Sequence, residues 1–314
     1  MIRMSRIVIG VDFTSAPSPK KPITLALGEW IPTRPLDRYR LDEVRELPSF
    51  AAFEDFLAEP GCWIGGFDLP FGQPRSLVEH EGWPTRWPQL VRDYCRRPRD
   101  ELRNVFKRWC DRRPVGNKFA WRKTDRPAGS SPAMRWTNPP VAWMMHAGIG
   151  RMLAAGLVFP AHRHPAARCR HGRRGHARLK VALEAYPGFT ARQVCRDSYK
   201  SDTPAAQTPA RRHARRQIVA ALHEGSAGLA VRLEASPRWQ RRLMADGQGD
   251  LLDAVICSLQ AAHAAGLPGY GLPTELDPLE GWIASVPQDA AIGMHASAMT
   301  ADSSIRSPFR GRLH

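Results

Sequence analysis

Apolar positions gather in short runs near the N-terminus, and the runs are closely spaced. Arg6 to Asp12 is a β-branched run that predicts a buried strand, closed by the polar turn Phe13 to Pro17. Pro22 to Trp30 predicts a second strand and Arg38 to Leu47 a third, more alternating one. Phe50 to Leu57 has helical spacing, and Cys62 to Phe67 is a further short strand ended by Asp68-Leu69-Pro70. Three strands in quick succession imply an antiparallel meander. A helix followed by another strand implies a crossover to a parallel neighbour.

The middle of the chain changes character. Ser76 to about Arg108 reads as helical and is rich in Trp and Arg, whereas Gly116 to Thr137 has little periodicity and predicts a long structured loop. Asn138-Pro139 predicts a helix start running to about Ala155. His162 to Arg178 is basic and of low complexity, which predicts an exposed insertion. Arg178 to Tyr186 fits a strand or a helix. Thr208 to His223 predicts a basic helix, and Asp250 to Ala265 a strongly apolar one stopped by Gly266. The segment 287–314 predicts a disordered tail.

Composition narrows the class. An apolar fraction of 43% and a charged fraction of 24% fit an ordinary globular protein. The nearest approach to a membrane span, Val141 to Phe159, is broken by His146 and Arg151, so no membrane partner is expected. The N-terminus carries no signal-peptide pattern, and the six cysteines include no CxxC pair; both imply reduced thiols in a cytoplasmic protein. A net charge of +16 fits a nucleic-acid partner, and the excess of Arg over Lys equally fits a GC-rich coding bias.

The acids carry the chemistry. Asp12 and Asp68 each close a hydrophobic strand and open a turn. Parallel pairing would bring both to one sheet edge, where repulsion calls for a cation and hard oxygen donors suit Mg2+ or Mn2+. The structural alternative is that each is a turn former. Asp250 and Asp253 share a face in the first turn of the last long helix, as metal ligands or as capping acids. Glu184 lies in an apolar segment and needs a cation, a polar partner or water there. His162, His164, Cys169, His171 and His176 match no compact zinc spacing.

Several of these stretches occur together in one known family. Gly10 to Pro17, Gly65 to Gly72, Leu183 to Gly188, Ser198 to Asp202 and Gly249 to Ala254 make the chain similar to the DUF429 family of predicted nucleases, within the RNase H-like superfamily. The resemblance implies an α/β fold over 1–286: a mixed five-stranded sheet flanked by helices, with a Trp/Arg-rich helical and loop insertion at about 73–177. It also implies a two-Mg2+ phosphodiesterase with Asp12, Asp68, Glu184, Asp250 and Asp253 as catalytic acids, of which Asp12, Asp68 and Asp253 hold metal. The loop Lys118 to Asp125 mixes cations with an aromatic side chain. Its Lys118, Arg122 and Lys123, with Lys200, are candidates for contacting substrate phosphates. Two alternatives stay open: a non-catalytic nucleic-acid-binding module on the same fold, and an actin/hexokinase-like phosphotransferase.

Overall fold

The computed structural model describes residues 7–164 and 179–288. Most of the basic stretch 162–178 and the tail 287–314 therefore lie outside the described residues. The fold is α/β, a mixed six-stranded sheet with helices on both faces.

Four strands follow the hydrophobic pattern closely: β1 (Ile7–Asp12), β2 (Ile23–Ile31), β3 (Asp37–Leu47) and β4 (Trp63–Asp68). Val8, Ile9 and Val11 of β1 have no solvent exposure, and burial of such side chains stabilises by about 1.5–3 kcal/mol each. The ambiguous segment near 180 is a strand, β5 (Lys180–Glu184). The sheet order is β5-β4-β1-β2-β3 with a further strand, β6 (Val231–Glu234), outside β3. β1 is antiparallel to β2 and β2 to β3, whereas β4 is parallel to both β1 and β5.

Six strands replace the five expected, because β6 pairs in parallel with β3. It is only four residues long, and its inward residues Val231 and Leu233 supply just two apolar positions. That is too short a run to stand out as a strand in sequence.

Helices α1 (Phe50–Ala58), α2 (Arg75–His80), α3 (Trp87–Arg96), α4 (Arg99–Asp111) and α6 (Val141–Ala154) cover one face. The stretch 76–108 is thus broken rather than continuous. Gly82 turns with φ +64°, and Pro98 forces Arg97 into an extended conformation between α3 and α4. α6 begins at Val141, with Pro140 at its cap position in place of the expected Asn138. A one-turn helix, α5 (Asp125–Ala128), interrupts the long loop.

Helices α7 (Pro187–Val194), α8 (Pro209–Glu224), α9 (Pro237–Ala245) and α10 (Asp250–Ala265) cover the other face. α10 is buried except at Leu251 and His263, consistent with its apolar character all round. It lies against the sheet backbone. A Cβ on Gly10 would stand 2.0 Å from the Ala254 carbonyl oxygen, and one on Gly66 2.2 Å from that of Cys257. Glycine at both positions is what lets the helix approach this closely. Among the described residues, no helix is long and apolar enough to cross a membrane.

Candidate functional site

Side chains alternate across a strand, so residues two apart share a face. Gly10 and Gly66 face α10, and therefore so do Asp12 and Asp68. The parallel register pairs Asp12 with Asp68 across β1 and β4, where neighbouring strands lie about 4.8 Å apart. α10 begins at this sheet edge and brings Asp250 and Asp253 to it. Four carboxylates from three elements thus meet at the carboxyl ends of β1 and β4. Asp12, Asp250 and Asp253 are buried and Asp68 is half-buried.

Two lysines partly balance this charge. Lys21 Nζ donates to Asp250 Oδ1 at 2.9 Å and to the exposed Asp202 Oδ1 at 2.6 Å. Lys200 forms a short ion pair with Asp253 Oδ2, while Tyr199 Oη donates to Asp253 Oδ1 at 2.5 Å. The side chains of Asp12 and Asp68 make no hydrogen bond or ion pair with any described residue.

The charge states follow from that imbalance. Burial, with repulsion from Asp250, Asp253 and Asp68, raises Asp12 well above the ordinary carboxylate range despite the attraction of Lys200. Burial raises Asp68 to about 7, with repulsion from Asp253 and Glu184 adding to it and Lys200 opposing it. Asp250 is raised by burial against the pull of Lys21. Burial alone would lower the Lys200 ammonium, but Asp253 and Asp12 outweigh it and hold the group charged.

Among the described residues, no three His, Cys, Asp or Glu side chains converge as a ready set of metal ligands. Asp253 is turned to Lys200 and Tyr199. The donor chemistry nevertheless fits a hard divalent cation: Asp12 and Asp68 are adjacent all-oxygen donors without partners among the described residues, and their mutual repulsion is what a cation relieves. Asp253 would complete the set on leaving Lys200.

The chain matches no protein-family model, no curated protein and no solved structure.

Glu184 does not join the four aspartates. It pairs in register with Phe67, one residue out of phase with Asp68, so its side chain passes to the opposite face of the sheet. There Arg122 Nη1 and Nη2 donate to it at 2.8 and 2.6 Å, and the Phe71 N–H donates at 3.0 Å. Arg122 also binds Asp125 Oδ1 through Nε at 3.0 Å and Nη2 at 2.7 Å. Glu184 is thus placed as an internal partner, not as a site acid.

Arg122 is corrected in the same way. It is 2% exposed and saturated by Asp125, Glu184 and the Glu280 carbonyl, so it has no free face for a phosphate. Lys118 and Lys123 are exposed. Lys123 belongs to a loop tied through its own N–H to Glu280 at 2.9 Å, and neither lysine contacts the aspartates. Lys200 lies at the acids themselves.

Three participants escaped the sequence reading: Lys21, Tyr199 and Asp202. Tyr199 and Asp202 flank Lys200 in the stretch Ser198 to Asp202, so that motif was the available signal for them. Nothing local marks Lys21, whose partner Asp250 is 229 residues away.

Proposed function

We propose that the chain is a divalent-cation-dependent phosphodiesterase acting on nucleic acid, a nuclease of the RNase H-like type that the DUF429 resemblance implies. The observation that carries this reading is the in-register pair Asp12 and Asp68, without hydrogen-bond or ion-pair partners among the described residues, at the carboxyl ends of adjacent parallel strands and faced by Asp250 and Asp253. Asp12, Asp68 and Asp253 are the residues that would hold Mg2+ or Mn2+. When bound, such an ion supplies Lewis-acid stabilisation and a more acidic water.

The protein side chains have separate tasks. Asp12 and Asp68 must be ionised to bind a cation, and their raised proton affinities make binding weaken towards acid pH. Lys200 holds Asp253 in place and keeps the acid cluster tolerable without a cation. Once Asp253 is released, the Lys200 ammonium is free to meet a phosphate oxygen at the same edge. Lys21 fixes Asp250 and buffers its charge. The Lys200–Asp253 ion pair also favours the second reading, a non-catalytic nucleic-acid binder, because it engages an acid that a metal would need.

One experiment separates the two readings. Purified protein is incubated with labelled single- and double-stranded DNA and RNA in Mg2+ or Mn2+, beside Asp12→Asn and Asp68→Asn. Cleavage lost in both variants supports the nuclease. Cleavage that survives both, or is absent from the wild type, removes that reading.

A further inference from the structure

On the opposite face of the sheet from the aspartates, α1, α3 and α6 enclose a cleft of about 830 Å3, within the range of ligand sites. Its walls differ in character. Phe50, Ala147 and Gly150 contribute an apolar side, and Arg92, Arg96, Arg99 and Arg151 line the rest with a single carboxylate, Glu54. Arg151 already pairs with Glu54 at 2.8 Å. Arg92 and Arg96 are exposed, lie one turn apart on α3, and make no hydrogen bond or ion pair with any described residue. The cleft therefore has a cationic rim of four arginines, answered among its lining residues by one carboxylate, around an apolar floor.

The cleft is joined to the acidic edge. Arg99 Nη2 donates to the Ser15 carbonyl at 3.1 Å, and Ser15 is three residues beyond Asp12, at most roughly 11 Å along the chain. The Phe50 ring stacks on Phe13, the residue after Asp12, with centroids 6.3 Å apart. The turn Phe13 to Ser15 thus links the acidic edge to Arg99, and Arg96 and Arg92, on α3, precede Arg99 in the chain.

We propose that this cleft holds an unpaired segment of a single-stranded nucleic acid, with a base on the apolar side beside the Arg151 guanidinium, which lies 4.0 Å from the Phe50 ring centroid, and flanking phosphates on Arg92, Arg96 and Arg99. This rests on the nuclease reading only for the direction of the strand. The charge complementarity calls for a polyanion. The apolar floor calls for a flat, weakly polar group between the charges, which an unstacked base supplies and a duplex conceals.

The test measures binding of the full chain to a fluorescent single-stranded decanucleotide in EDTA, where metal-dependent hydrolysis plays no part. Three variants are compared at several salt concentrations. Arg92→Ala with Arg96→Ala removes two phosphate contacts, so the slope of log K against log salt falls by about 1.4 in magnitude and affinity drops tenfold or more. Arg92→Lys with Arg96→Lys keeps the slope. Ala154→Trp, at the exposed rim of the cleft, fills the base position and weakens binding at least fivefold with the slope unchanged. All three side chains replaced are exposed, and thermal melts check that folding is retained.

The proposal is overturned if the wild type does not bind, if the double alanine variant binds as the wild type does, if a duplex binds equally well, or if a mononucleotide competes as strongly as the decamer. Strand binding that behaves as described without any cleavage in Mg2+ would remove the nuclease reading and leave the cleft standing. Cleavage that needs Asp12 yet ignores Arg92 and Arg96 would do the reverse.

Discussion

The charge imbalance at the sheet edge predicts a pH-dependent stability that a divalent cation erases. Asp68 titrates in the folded protein at about 7, against an ordinary value of 3.8. A raised folded value means that the folded state holds the proton more tightly than the unfolded chain. The associated stability is complete below about pH 4 and is lost as pH rises towards 7. A difference of about three units at ~1.4 kcal/mol per unit gives about 4 kcal/mol. Because Asp68 is half-buried, solvent screening reduces this to roughly 2 kcal/mol. The assay is urea unfolding in EDTA between pH 4.5 and 7.5 for the wild type and Asp68→Asn. Subtracting the two curves cancels the other titrating groups. The wild type is expected to lose about 2 kcal/mol relative to the variant across that window. Mn2+ at a hundred times its dissociation constant should return about 2.7 kcal/mol to the wild type and much less to the variant. A constant gap between the two proteins, or equal stabilisation by Mn2+, would refute the reasoning.

Four other outcomes test separate parts of the structure. His162, stacked on Trp87 at 4.2 Å and held by burial at about 3, is neutral when folded; stability should fall with pH from about 6.5 towards 3, by up to about 5 kcal/mol, and His162→Phe should flatten that limb of the unfolding curve. Arg122→Met strands the buried Glu184 and Asp125 and should cost about 3–5 kcal/mol by chemical denaturation. Gly10→Ala forces α10 off the sheet and should lower the melting temperature by more than 5 °C, the scale of about 1–2 kcal/mol or more in a domain of this size. Lys200→Met frees Asp253 and should tighten Mn2+ binding about tenfold, near 1.4 kcal/mol, by isothermal titration.

Much of the fold is visible in local pattern because its central strands are buried on both faces. Continuous apolar runs such as Ile7 to Val11 mark β1 without ambiguity, and the mostly apolar α10 is legible from Asp250 to Ala265, with Gly266 as its stop. β6 is not, since two inward residues at a sheet edge make no distinguishable run. Within the site, Asp12 and Asp68 are legible because each ends a strand, and strand ends in a parallel pair share an edge. Glu184 ends a strand too, but register decides its face, and register is a property of the paired sheet. Arg122 looks like any loop cation until Glu184 and Asp125 are seen around it. Lys200 is legible as a candidate phosphate contact, yet its pairing with Asp253 spans 53 residues and needs the folded connection between α7 and α8.

The contact between α10 and the sheet has a consequence for how such a site is adjusted. At Gly10 and Gly66 main chain meets main chain, so no rotamer sits between the two layers to be swapped for a longer or shorter one. The span from Asp12 and Asp68 to the first turn of α10 is set by backbone-to-backbone van der Waals contact and resists repacking elsewhere in the core. Adjustment of charge at this edge therefore falls to side chains carried on the connecting segments, Lys21 and Lys200, which can be exchanged without moving the backbone that carries the acids.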